Sequence, residues 1–472
     1  MGDKLDGSSR LSGPHADLLR QRASEADIPP APAGLLGMPL LDGRHTPQNI
    51  CVAAFALGAL AGGLVTSASL STSFRASELV LGAAAVLAAM EYIAAAITAE
   101  SRGLASFIPP SGTAWALLLF CSTIESALWQ VLFGQALWPL SLAVARLGAA
   151  ALVLAQLFRT LALVGPLTDY PAVRPIVEAS KRVWPYWANA RASSMVLWLV
   201  AAHLTQRSFI SLALTVGMHD VFKPPGPDAF VWPEVSRRTR VGRRGFLGLQ
   251  LFDGRHSQQN IAAYGFCLGF AAGLGVVFGT TGFSASLLGI YLMFLCAFHT
   301  LEYLTTVMYK PDASLRSFLL NHSPEYHMAI AGGLAEFFVE WFFFPAMKHF
   351  TWITYVGLVV VIVSQYLRSA AMITAGSNFS HIIADYKEDG HELVTTGIYG
   401  VFRHPSYTGF FYWTLALQVV LANPLCFCAF AVVLFRFFSE RIEYEEETLQ
   451  QFFGDKYRVY KMTSHTFIPG IP

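Results

Sequence analysis

The chain has 472 residues, 54% of them hydrophobic and only 13% charged, about half the charged share of an ordinary soluble domain. That balance excludes a soluble globular enzyme and reads as a polytopic membrane protein. A formal net charge of +1 leaves no global attraction to nucleic acid.

Residues 1–35 are polar and rich in Pro, Ser, Asp and Arg, and read as a disordered segment with no secretory signal core. Apolar runs of about 20 residues, enough to cross hydrocarbon, follow near 50–70, 79–98, 113–134, 138–164 and 195–217. A second set lies near 260–281, 285–308, 328–347 and 352–375. A longer run, 408–437, contains Asn423-Pro424, a turn signal that predicts a helical hairpin. The fold class is therefore all-α, a polytopic transmembrane helical protein. The six cysteines all fall in apolar runs without a Cys-x-x-Cys pair, so neither a disulfide framework nor a zinc site is expected.

The two sets are related. Leu40 to Ile50, reading Leu-Leu-Asp-Gly-Arg-His-Thr-Pro-Gln-Asn-Ile, reappears at Leu251 to Ile261 with a shift of 211. The same shift pairs Gly58 with Gly269, Gly62 with Gly273, Glu91-Tyr92 with Glu302-Tyr303, Ser106-Phe107 with Ser317-Phe318 and Glu125 with Glu336. With a slip of two it reaches Arg159 and Arg368, then dissolves. These observations give two tandem halves: 36–237, a degenerate repeat; 238–257, a basic linker; and 258–472, which alone carries the motifs described next.

Topology follows from the basic residues. Arg237, Arg238, Arg240, Arg243 and Arg244 in the linker, and Lys456, Arg458 and Lys461 in the tail, are both expected in the cytosol. A single span at 195–217 would put the amino terminus on the far side, and a re-entrant segment would keep it cytosolic; the sequence leaves both open.

Glu302, Glu336 and Glu340 lie inside apolar runs, where an ionisable group is costly and needs a partner. Arg368 is the available one, and Glu91 and Glu125 keep two of these positions in the front copy, so a structural role is expected. The longest polar, glycine-punctuated stretch of the second half is His391 to Gly409. Gly397, Gly400 and Gly409 permit tight turns and close approach, and Pro405 stops a helix at His404. Farther on, Arg441 and Glu445 are four apart and share a helix face, with Glu443, Glu446 and Glu447 expected on the solvated face.

Arg403-His404-Pro405-Ser406-Tyr407-Thr408-Gly409, preceded by His391 to Val394 and followed by Arg441 to Glu447, resembles the isoprenylcysteine carboxyl methyltransferase family. The likeness extends upstream through Ser317 to Ser323 and Thr374 to Phe379, and covers 258–472. It implies methyl transfer from S-adenosylmethionine to the carboxylate of a prenylated C-terminal cysteine of processed CaaX proteins, small GTPases among them. It also implies an endoplasmic reticulum membrane enzyme with its site facing the cytosol.

By the same resemblance, His391, Glu392, Leu393, Val394, Tyr399, His404, Pro405, Ser406, Tyr407 and Glu445 hold the cofactor, and Arg441 meets the substrate carboxylate. Arg403 is a second candidate for that carboxylate or for closing the site, because guanidinium binds carboxylate in bidentate fashion; the alternative is a positive-inside anchor at a span end. Ala384 stands where some members place an amide against the cofactor. A carboxylate is already ionised near neutral pH, so neither a general base nor a metal is expected.

Three other readings compete: an NADPH-dependent sterol reductase, a phospholipid methyltransferase with a similar tail, and a non-enzymatic membrane scaffold. The Asn321-His322-Ser323 and Ser377-Asn378-Phe379 matches favour the prenylcysteine enzyme. The front half would then pack on the active half as an intrachain pseudo-dimer.

Overall fold

Proline sets many of the helix starts. The computed structural model describes residues 40–71, 76–97, 103–107, 251–280, 286–310, 313–321, 323–349, 351–387 and 390–472, with 119, 121, 123–124, 146–152, 155 and 198–202 between them. Among the described residues, the α-helices whose two ends are both described are α1 Pro47–Leu70, α2 Ala76–Ile97, α3 Gln258–Thr280, α4 Ser286–Val307, α5 Pro324–Phe343, α6 Trp352–Ala375, α7 Pro405–Leu421, α8 Pro424–Phe453 and α9 Asp455–Thr463. Four of them open on proline at the first turn, where its missing N–H costs nothing. Ser323 caps α5 by accepting the Tyr326 N–H at 3.2 Å, and Thr351 and Thr354 form a capping box on α6. No strand occurs among the described residues, and the chain is an all-α membrane protein. Helices α1, α3, α4 and the 352–378 segment are long and apolar enough to cross a membrane.

The apolar stretch 408–437 does divide at Asn423, the N-cap of α8, with Pro424 at its first position. The run expected at 328–347 begins and ends earlier, because Ser323-Pro324 starts α5 and Pro345 lies beyond its end. The runs at 113–134, 138–164 and 195–217 lie largely outside the described residues, as do residues 1–35, the basic linker, Glu125 and Arg159.

Repeated sequence carries repeated geometry. Leu41 and Gly43 have φ of 56° and 79°, and Phe252 and Gly254 have 55° and 81°. In each bend an arginine N–H, of Arg44 or Arg255, donates to an aspartate two residues back at 3.1 Å. His45 Nε2 lies 2.7 Å from the Tyr92 hydroxyl, and His256 Nε2 lies 2.8 Å from that of Tyr303. Tyr92 stacks on Phe107 at 4.0 Å, and Tyr303 on Phe318 at 3.9 Å.

Hydrocarbon is as apolar as a leucine side chain, so helices in a bilayer associate through close packing and polar ties. Helices α1 and α3 use small residues. A Cβ on Gly58 would overlap the Phe266 carbonyl and one on Gly269 that of Phe55; Gly62 meets Phe270 and Gly273 meets Ala59 in the same way. Each contact maps onto its counterpart by the 211-residue shift, the reciprocity of a two-fold interface.

The second half packs around Leu287, Tyr291 and Phe298 of α4, Phe337 of α5, Val361 of α6, and Trp413, Leu417, Val420 and Leu421 of α7. Lys348, 2% exposed, ties the end of that core by donating to Glu340, to the Leu421 and Ala422 carbonyls and to Asn423 at 2.7–2.9 Å. Glu336 accepts the N–H groups of Leu425 and Cys426 at 2.7 and 2.6 Å, capping α8 with a negative charge at its positive end. Arg368 therefore serves neither of these carboxylates; it pairs with Glu302.

Gly269→Leu should push α1 from α3, since the added carbons run into backbone, at a cost of about 1–3 kcal/mol or more. Gly63→Ala, whose Cβ would meet only the Gly273 carbonyl at 3.8 Å, should be neutral. Thermal unfolding in detergent distinguishes them; equal midpoints for both would mean the helix pair does not matter.

Candidate active site

The polar stretch between α6 and α7 is held at both ends. Asn378 Oδ1 accepts the Glu392 N–H at 2.9 Å, fixing His391 to Val394 beneath the end of α6. Gly397 then turns with φ of 60°, a conformation that suits glycine, and leads into the short helix Gly397–Gly400. His404 caps α7 with Pro405 at its first position, as the sequence implies. The neighbour that approaches Gly409 is a helix: a Cβ there would stand 2.9 Å from the Arg368 N and the Ser364 O of α6. This contact brings Arg368 to Ser406, donating to its hydroxyl at 3.0 Å and its carbonyl at 3.2 Å.

Two clefts result. A polar one is lined by all ten residues expected to hold the cofactor, together with Arg403, Asn378, Phe379, Ser380, Leu449 and Tyr460. A more apolar one is lined by Phe298, Leu319, Tyr326, Phe410, Phe437 and Phe438, with Arg368, His381 and Arg441. Phe379, Ser380, Ser406 and Tyr407 belong to both walls. Ala384 lines neither cleft.

Arg441 and Glu445 are one turn apart on α8 and open into different clefts. Arg441 donates from Nε to the Tyr407 hydroxyl at 2.9 Å and from a terminal nitrogen to the His381 carbonyl at 2.6 Å. Its guanidinium sits over the Tyr407 and Phe437 rings, with no carboxylate partner among the described residues. Glu445 faces the polar cleft, and its buried Oε2 has no hydrogen-bond partner; His404 Nδ1 lies 3.8 Å from it. A buried carboxylate oxygen left unmatched is costly, and it suits a cationic ligand. The donor set beside it, aromatic rings and a glycine-freed backbone, fits an adenine and an amino-acid head.

Arg403 lines the polar cleft, but its guanidinium is turned into the protein. It pairs with Glu446 at 2.5 Å and donates to the Ser464, Lys461 and Pro472 carbonyls. The tail returns beside it: Phe402 and His465 form a parallel bridge, and Thr408 donates to the Thr466 carbonyl at 2.6 Å.

Glu446 is the departure from the solvated face expected for it. Glu443 and Glu447 are exposed, but Phe438, Ile442 and Glu446 are buried at spacings of four, which places Glu446 on the inward stripe of α8. There it meets Arg403, His404 at 3.3 Å and Lys461 at 2.5 Å. Burial alone would raise its carboxyl pKa, yet the hydrogen bonds from His404, Lys461 and Arg403 and the Arg403 charge hold it at about 2. Burial pushes the Tyr460 phenol up to about 12, against the Ser464 hydrogen bond and the Arg403 charge, so it stays a donor, to the Tyr399 carbonyl at 2.8 Å. Asn378 and Phe379 lie in the upstream match; Tyr460 and Leu449 carry no sequence signal beyond their type.

A sequence model of the isoprenylcysteine carboxyl methyltransferase family matches residues 356–451. The chain is 43% identical over 244 residues to the human protein-S-isoprenylcysteine O-methyltransferase, covering 49% of this chain and 86% of that one. It is 47% identical over 205 residues to the Xenopus laevis enzyme of that name, covering 43% and 71%. A solved structure of the eukaryotic intramembrane Ras methyltransferase aligns at 40% identity with a TM-score of 0.44, over 45% of this chain and 77% of that one.

The depressed Glu446 pKa gives a pH signature. Its ordinary value is 4.5, so its contribution is complete above that pH and is lost as pH falls toward about 2. Protection of the 464–472 amides, relative to their intrinsic exchange at each pH, should fall over that window, and Glu446→Gln should be poorly protected at neutral pH as well. Equal protection in both proteins at neutral pH would remove the tail's dependence on this carboxylate.

Proposed function

Because the chain belongs to the isoprenylcysteine carboxyl methyltransferase family, we propose that it esterifies the C-terminal carboxylate of prenylated CaaX proteins, using S-adenosylmethionine. The observation that carries the reading is the meeting of the two clefts, with a Glu445 carboxylate oxygen that has no hydrogen-bond partner on one side and Arg441 without a carboxylate partner among the described residues on the other. When bound, the sulfonium supplies its methyl carbon to the acceptor oxygen as the carbon–sulfur bond breaks, leaving a neutral thioether and a methyl ester with no proton to move.

The chain's own residues then have three tasks. Glu445 binds the ammonium of the donor's amino-acid head, and Tyr399, with the Leu393 and Val394 backbone, covers its adenine. Arg441 binds the acceptor carboxylate, oriented by Tyr407 and the His381 carbonyl. Phe298, Phe410, Phe437 and Phe438 take the isoprenoid, which need not leave an apolar medium at about 0.8 kcal/mol per CH₂. Such catalysis is alignment and exclusion of water. Arg403 holds the cleft's wall. The basic residues of the linker and tail support a site on the cytosolic side, and the family resemblance supports the endoplasmic reticulum as its membrane.

The front half, on this reading, is a non-catalytic copy that occupies a second protomer's place through the α1–α3 glycine contacts. Expressing 238–472 alone should lose activity that co-expressed 1–237 restores. A fully active, monomeric 238–472 would end the idea.

Labelled methyl transfer to N-acetyl-farnesylcysteine by membranes carrying the chain tests the reaction. Removing a charged hydrogen-bond partner costs about 1.5–3 kcal/mol. Arg441→Ala should therefore lower kcat/KM for the acceptor roughly 10- to 100-fold, and Glu445→Ala should raise KM for S-adenosylmethionine. No transfer by the intact protein would sink the reading.

A further inference from the structure

We propose that His381 is a positioning residue for the methyl acceptor: anchored through its imidazole to Glu302, it fixes the carbonyl that holds Arg441. This rests on the reaction proposed above and adds a residue given no role there beyond its backbone oxygen.

Glu302 is 1% exposed and divides its oxygens unequally. Oε1 meets Arg368 Nε, while Oε2 meets both an Arg368 terminal nitrogen at 2.8 Å and His381 Nε2 at 2.9 Å. Against a carboxylate the imidazole nitrogen must be the donor. Arg368 already supplies the counter-charge, so His381 is not needed to neutralise the site.

The segment that carries His381 has no regular structure between the turn Gly376–Asn378 and Asp385. Its local ties are slight: Phe379 N–H to the Gly376 carbonyl at 3.2 Å, Ile382 N–H to the Ser380 hydroxyl at 3.2 Å, and edge-on contact of the Phe379 and His381 rings. Within it, His381 links two helices, its ring to Glu302 on α4 and its carbonyl to Arg441 on α8 at 2.6 Å. No backbone ladder sets the direction of that carbonyl; the imidazole does.

The same carboxylate reaches the other cleft. Through Arg368 it holds Ser406, in the wall common to both clefts, and through His381 it holds Arg441. One buried anion thus sets the register of the donor and acceptor sides, and in-line displacement is sensitive to shifts of about 1 Å.

The test is steady-state kinetics of the full chain in membranes, varying N-acetyl-farnesylcysteine and S-adenosylmethionine separately, with S-adenosylhomocysteine binding measured on the same preparations. His381→Ala should raise KM for the acceptor about tenfold, leaving KM for S-adenosylmethionine and product binding within about twofold. His381→Gln, whose amide can still donate to Glu302, should recover most of the loss. An unchanged acceptor KM in His381→Ala overturns the inference. So does an equal loss on both substrates that His381→Gln fails to relieve, the outcome of a merely structural side chain. A wild-type chain that transfers no methyl group would instead reject the reaction itself, and this inference with it.

Discussion

The pairing of Glu302 with Arg368 is the constraint on which the catalytic half depends. Two charges taken out of water cost several kcal/mol each, and their attraction offsets this only when the remaining hydrogen-bond positions are filled. Here they are: Glu302 also receives His381, and Arg368 also reaches Ser406. The pair ties α4, α6 and the first turn of α7 together, and Phe298 and Phe410 lie against the Arg368 guanidinium. Taking away either partner would leave a buried charge, so the arrangement stands or falls as one.

Around that centre the chain follows the logic of packing in hydrocarbon. Apolar side chains gain little by leaving lipid, so contacts come from small residues that let backbones meet and from buried polar ties. The glycines of α1 and α3 are the first kind, and Gly409 against Arg368 is another. Lys348 with Glu340 and Asn423, and Glu336 with the start of α8, are the second. The tail adds a third device. By threading residues 464–472 past Arg403 and Glu446 it braces the loop that forms the polar cleft, outside the apolar layer.

The chemistry asks little of any one side chain. A methyl group moves between a sulfonium and an ionised carboxylate without acid or base, so alignment carries the rate. This suits a site in which two charged groups, Arg441 and Glu445, are spaced by a single helical turn and face different clefts. Arg403 and Glu446 show the contrast: they pair with each other, and both spend their charge on the fold.

Much of this was legible in the sequence, for physical reasons. Apolar runs of spanning length and prolines at their ends dictate helices and breaks almost locally, so α6 and the division at Asn423 were readable. The 211-residue repeat is arithmetic on the chain. That ten residues expected at one site line a single cleft was readable because a polar, glycine-rich stretch between spans must be satisfied by something, and the motif resembled a known one. The sequence could not choose among the partners of its buried charges. Whether Arg368 meets Glu302, Glu336 or Glu340, whether Arg403 faces ligand or tail, and whether Glu446 or Glu443 points inward depend on which helices come together and on where the last nine residues return. Those contacts join positions up to 69 residues apart, Arg403 with Pro472 among them. Only the tertiary structure decides them, because a charge has no partner until the chain has been packed.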